Sequence, residues 1–197
     1  MSLDTQDLKQ FIASTFEVDN SESIQSVASL FRYYPLKKGE CVLLSGGRCD
    51  KMHFVKTGFL RVFNSKEGVE VTQWISTKGN FTADLSSFYF DVPSRWTIQA
   101  MVDSEIYAIS RANYQKISTL VPNWSEIEKT FLVRCFTFME NRIHSHLSMS
   151  AQERYMYFYQ ENRELFNEVP IKFIASMLGM TPETMSRIRL NESKVKS

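Results

Sequence analysis

Residues 171–190 read IKFIASMLGMTPETMSRIRL, and within them Glu183 and Arg187 stand four places apart. On a helix that spacing puts both side chains on one face. A carboxylate there can accept from a cytosine amino group, and a guanidinium can donate a fork to guanine O6 and N7. Thr181, Thr184, Ser186 and Arg189 lie along the same segment, with Lys172 a little earlier. Hydroxyls and cations of this kind meet phosphate oxygens as well as base edges. The whole chain has a formal charge of only +1, so its overall field does not draw it to nucleic acid. The bias is local: after Val169, Lys172, Arg187, Arg189, Lys194 and Lys196 oppose Glu183 and Glu192.

Other chemistry is sparse. Cys41, Cys49 and Cys135 are odd in number, widely spaced and outside any Cys-x-x-Cys pattern, which predicts buried free thiols and a reducing compartment. His53, His144 and His146 stand apart from any ligand cluster, so no metal site is expected. No nucleophile–base set or phosphate loop is present, and the expectation is a protein that is not an enzyme. The N-terminus carries acids where a signal peptide would carry bases, and no apolar run is long enough to span a membrane. A cytoplasmic protein without membrane contact is expected. Trp74, Phe81, Phe88, Tyr89, Phe90 and Trp96 form an aromatic-rich region. They could line an apolar pocket, although plain core packing is the simpler reading.

The elements that must carry Glu183 and Arg187 are legible in the same stretch. Counting from Ile171, apolar residues occupy places four, eight, ten, fifteen and eighteen (Ile174, Leu178, Met180, Met185, Ile188). The fifth is Ala175 and the ninth Gly179. Two short helices that cross closely need a small residue at the fifth place and one tolerating positive φ at the ninth. Thr181 can cap the second helix, with Pro182 at its first position. This is a helix-turn-helix pattern. A helical hairpin with a solvated polar face is the competing reading.

Upstream, Leu8, Phe11, Ile12 and Phe16, then Ile24, Val27, Leu30 and Phe31, show helical periodicity, with Pro35 expected to end that run. From Leu36 to Ser110, seven or eight short β-rich runs alternate with turns such as Lys56-Thr57-Gly58. They predict an antiparallel barrel or sandwich. A short helix follows Ser110. A long one is expected over 123–148, with Asn123 as cap and Ile127, Phe131, Phe138, Ile143 and Leu147 among its apolar positions. Its length asks for more burial than one barrel offers. Ser150 and Glu153 form a capping-box pattern that opens the last helices.

From Phe31 to Asn191 the chain resembles the Crp/Fnr family of bacterial transcription regulators. TPETMSRI is similar to the family's recognition helix, and Glu183 and Arg187 match its two base-reading positions; Pro182 replaces an arginine. The sequence stops soon after that helix, and no counterpart follows for the β wing of many members. The resemblance implies an α+β fold: an N-terminal antiparallel β jelly-roll barrel with flanking helices, a long dimerisation helix and a C-terminal helical helix-turn-helix domain. The expected divisions are 1–122, 123–149 and 150–197. It implies a homodimer through Ile127, Phe131 and Phe138, an inverted-repeat operator in double-stranded DNA, and RNA polymerase as a further partner. Segment 81–100 resembles the family's phosphate-binding cassette, which makes Asp84, Leu85, Ser94, Arg95 and Thr97 the candidate ligand pocket. Ala83-Asp84-Leu85 and Ser94-Arg95 depart from the Gly-Glu-Leu and Arg-Ser of cyclic-AMP binders. Ile127-Glu128 are placed where those proteins touch the base. No cofactor is expected, cyclic AMP is not the expected effector, and the effector is left open. A module that works through protein partners after losing DNA contact is the alternative.

Overall fold

The structure, a computed structural model, describes residues 5–195. Helices α1 (Gln6–Phe16) and α2 (Ser21–Ala28) open the chain. As the periodicity predicts, α1 buries Leu8, Phe11, Ile12 and Phe16. Strand β1 (Arg32–Leu36) begins before the expected end of the helical run, so Pro35 lies within a strand. That strand is at a sheet edge, where a missing N–H is tolerated.

Seven more strands follow: β2 (Cys41–Leu43), β3 (Lys51–Thr57), β4 (Leu60–Lys66), β5 (Val69–Ser76), β6 (Phe81–Thr82), β7 (Thr97–Ala100) and β8 (Ser104–Ser110). They make two four-stranded antiparallel sheets, ordered β1-β8-β3-β6 and β2-β7-β4-β5. The core they share with α1 holds Phe54, Val55, Ile106 and Ile109 from one sheet, and Leu43, Leu60, Val62 and Ile98 from the other. Gly58 makes the β3–β4 turn at φ +82°, where an added Cβ would lie 2.2 Å from Ser104 Oγ, so a side chain is excluded.

Helix α3 (Leu85–Phe90) interrupts the strands, and the β-rich texture gave no sign of it. Asp84 caps it by accepting from the Ser87 N–H at 3.1 Å. Helix α4 (Arg111–Leu120) is capped by Ser110, which accepts from Asn113 N at 3.2 Å.

Helix α5 (Trp124–Ser148) runs 25 residues along the barrel. Asn123 precedes it as expected, but at φ 57° and with no side-chain cap bond. Phe131 is 6% exposed; its ring meets Phe16 and Phe81, each at 5.2 Å between centroids. Ile127 packs half-buried on the same core. Of the three expected dimer residues, Phe131 is therefore buried inside the protomer and Ile127 is partly covered there. Phe138, the third, is half-exposed and sets its ring edge against Trp74 at 5.0 Å. The apolar side chains left outward are Val133, Phe136, Ile143 and Leu147, the last 83% exposed.

The chain ends in α6 (Ala151–Glu161), α7 (Leu165–Glu168), α8 (Ile171–Met177) and α9 (Pro182–Val195). The Ser150–Glu153 capping box forms in both directions. Tyr155, Phe158, Leu165, Ile174, Ala175 and Met185 share a core with Phe59, Ile75 and Met101 of the barrel. The helices after Ser150 thus rest on the barrel.

Candidate nucleic-acid interface and barrel cavity

Helices α8 and α9 meet as the spacing requires. Ala175 and Met185 are fully buried, and Gly179 takes φ +66°. A Cβ on Gly179 would approach His146 Cδ2 to 3.1 Å, so the turn has little room for one. Thr181 Oγ1 accepts from Thr184 N at 3.2 Å and caps α9. Ile188 and Met180 pack half-buried on the module's core.

With those residues turned inward, Thr181, Glu183, Ser186, Arg187 and Arg189 are exposed and Thr184 is half-buried. Arg187 Nη2 donates to Thr184 Oγ1 at 3.4 Å. Bonds from the Glu183 backbone N–H and from Thr181, with Arg187 nearby, hold the Glu183 carboxyl below its ordinary pKa. It is an ionised acceptor at neutral pH, placed in the first turn, where the helix dipole favours it. Lys172 is exposed on α8, its ammonium 4.8 Å from the Phe173 ring centre. Lys194 and Lys196, counted in the local charge, are outside the described side chains.

Two arginines not singled out by the sequence hold this module. Arg154 on α6 donates through Nε to the Leu178 carbonyl at 2.8 Å and through Nη1 to that of Met149 at 2.7 Å. It ties the turn to the end of α5. Arg61 on β4 is 1% exposed. Its guanidinium carbon lies 4.1 Å from the Phe63 ring centre and 3.8 Å from that of Phe173 on α8, while Nη1 pairs with Glu70 at 2.7 Å. Thr72 N donates to Ser176 Oγ at 3.0 Å. Helix α8 is therefore docked on β4 and β5 with α9 facing away. No periodicity signals an arginine's tertiary partner, and sequence spacing could not have found these two.

A cavity of about 510 Å³ lies between the barrel and α5. Phe81, Leu85, Trp74, Trp96, Phe131 and Phe138 supply its apolar wall, and Asp84, Arg134, Cys135 and Arg142 also line it. Of the five expected pocket residues, Asp84 and Leu85 line it; Ser94, Arg95 and Thr97 do not. Ser94 is buried and donates to Asp84 Oδ2 at 2.8 Å. The Arg95 N–H donates to the same oxygen at 3.1 Å, while its side chain is exposed. Thr97 Oγ1 accepts from Ser45 N at 3.1 Å.

The aromatic region divides likewise. Trp74, Phe81 and Trp96 line the cavity, Phe88 is core, and Tyr89 and Phe90 are exposed. The α5 turns facing the cavity run from Phe131 to Arg142, beyond the expected Ile127-Glu128; Glu128 instead accepts from the Tyr89 hydroxyl at 2.7 Å. The thiols are free, but Cys41 is exposed, which corrects the expectation that all three are buried.

Residues 34–119 match the family model described as cyclic nucleotide-binding domain. Beyond the barrel, the chain shares its fold with several solved structures. It is similar to FixK2 from Bradyrhizobium japonicum, with TM-score 0.70 and 18% identity over 84% of this chain and 85% of that one. It is similar to CLP of Xanthomonas campestris, described as a c-di-GMP-responsive global regulator, with TM-score 0.66 and 12% identity over 90% and 93%. For a CooA mutant from Carboxydothermus hydrogenoformans the values are 0.63 and 22% over 94% and 84%. No curated protein matches the chain in sequence. Among the described residues, no helix is long and apolar enough to cross a membrane, and no group of three His, Cys, Asp or Glu could hold a metal.

The cyclic nucleotide-binding domain takes its family name from a ligand these residues fit poorly. A cyclic phosphate needs free backbone N–H groups and a guanidinium aimed at it. Here the Asp84 carboxylate already holds the Ser94 hydroxyl and the Arg95 N–H, and the Arg95 side chain is turned outward. An incoming phosphate would meet a negative charge in place of donors.

Proposed function

We propose that this protein is a homodimeric, DNA-binding transcription regulator whose α9 enters a major groove. The observation that carries the reading is the outward face of α9, where Glu183 and Arg187 lie one turn apart on a helix anchored through Ala175, Gly179 and Met185. Glu183 would accept from a cytosine amino group and Arg187 would donate to guanine O6 and N7. Lys172 and Arg189 would meet phosphate. A two-fold dimer along the outward face of α5 would set two such helices about 34 Å apart, which suits an inverted repeat with half-sites one turn apart. Cyclic AMP would not be its effector, because Asp84 occupies the phosphate's donors.

Capture of genomic DNA fragments by the purified protein, followed by sequencing, tests the reading. An inverted repeat should be enriched. Arg187→Ala should then weaken binding to that site by about 1–3 kcal/mol and relax preference at one base pair. Equal loss on operator and random DNA would make Arg187 a phosphate contact, and no enrichment of any sequence would sink the reading.

A further inference from the structure

The barrel cavity contains a cation without a counter-charge. Arg142, on α5, lies with its guanidinium carbon 5.1 Å from the Trp74 ring centre. Its Nη1 donates to the Gln73 carbonyl at 2.5 Å and its Nη2 to the Met177 carbonyl at 3.3 Å. Both acceptors are neutral. Among the described residues it joins no ion pair, and burial by itself pulls its pKa down. A guanidinium carries five N–H donors, so part of its fork is left for an incoming acceptor. A half-buried charge without a partner attracts an anion strongly, because little water competes.

Arg134 is paired with Glu17, and the Asp84 carboxylate, an acceptor only, already takes the Ser94 hydroxyl and the Arg95 backbone N–H. The rest of the wall is largely aromatic and aliphatic: Trp74, Phe81, Leu85, Trp96, Phe131 and Phe138. A cation without a counter-charge on the wall of a largely apolar cavity of about 510 Å³ suits an amphiphilic guest. That volume is in the usual range for small-molecule sites, roughly 300–1,000 Å³.

We infer that the cavity binds a small organic acid, with a flat or branched apolar body among the aromatic rings and a single carboxylate paired with Arg142. The carboxylate would compete for the donor that Arg142 gives to Met177 at the end of α8. Occupancy would thus loosen one tie between the barrel and the helix-turn-helix. Binding itself does not depend on any action at DNA, so the test reads binding alone.

Full-length protein is titrated by calorimetry with 4-phenylbutyrate and octanoate, with their uncharged amides, and with cyclic AMP. The fluorescence of Trp74 and Trp96 gives a second readout. At least one acid should bind about tenfold or more tightly than its amide, and Arg142→Gln should abolish that difference while Arg142→Lys keeps part of it. Cys135→Trp would fill the cavity and should block binding with Arg142 intact, which keeps the test open if Arg142→Gln does not fold. Equal affinity for acid and amide would overturn the inference. So would tighter binding of cyclic AMP than of either acid, or no binding of either acid up to about 10 mM, a free energy near 3 kcal/mol.

Discussion

The two faces of α5 carry similar residues and have different fates. Phe131 is 6% exposed and wedged between Phe16 and Phe81, while Phe136, little more than one turn on, is 64% exposed. Trp124, Phe131, Cys135, Phe138 and Arg142 form the stripe that faces the barrel and its cavity; Val133, Phe136, Ile143 and Leu147 form the other. The apolar members of the first pack within the protomer. The second is a run of large apolar side chains at helical spacing, and such a run is rarely left to solvent. Hydrophobicity alone therefore does not tell an internal face from an external one; the partner surface does.

The largest expected effect falls on the inner face. Phe131→Ala removes a ring enclosed by two others and should cost about 3–5 kcal/mol in denaturant unfolding, whereas Phe136→Ala should stay within roughly 0.5 kcal/mol per protomer. Equal losses would abolish the distinction between the faces.

The dryness of the barrel under that face has its own titration signature. His53 is 4% exposed with Nδ1 unpartnered, and burial lowers its pKa to about 4. Above the unfolded value of about 6.5 the ring is neutral in both states, and the protein has its full stability. As pH falls from there towards 4, the unfolded chain takes up a proton the folded one refuses. Stability should decline by about 3 kcal/mol at most. His53→Leu should flatten that window in urea unfolding measured at several pH values. An unchanged slope would mean the barrel is wetter than the structure shows.

On the outer face, Phe136→Glu combined with Ile143→Glu should raise the dimer dissociation constant about a hundredfold, near 2.7 kcal/mol, with the thermal unfolding of the protomer kept. Sedimentation velocity reads the change. A double variant that sediments like the wild type would remove this face from any interface. The smallest effect concerns the helix-turn-helix: Gly179→Ala places a Cβ at φ +66° and 3.1 Å from His146, and should cost about 1 kcal/mol. A neutral result would show that His146 yields and that the turn is less tight than its geometry.

Local chemistry was readable in advance. Ala175, Gly179 and Thr181 act through backbone conformation, close approach and a cap bond three residues away, so their spacing alone carried the helix-turn-helix. Ser150 and Glu153 are legible for the same reason. The cassette was half legible: Asp84 stood out as a departure, but its grip on Ser94 and Arg95, and helix α3 beside it, did not. A six-residue helix among short apolar runs has too few turns to declare a period.

Sequence by itself determined where most helices and strands alternate, α3 and the start of β1 apart, and which residues of α9 carry charge, because those depend on neighbours within a turn or two. Tertiary structure decided which stripe of α5 met the barrel, sending Phe131 and Ile127 inward and leaving Phe136 outside. It also decided that Arg61, Arg142 and Arg154 would lash the last helices to the rest. A 25-residue helix with apolar residues on two sides offers either stripe to the core. Only the shape of the surface against it selects one. The carbonyls and ring through which these arginines hold the last helices are from 24 to 112 residues away in sequence, so no local pattern could have announced them.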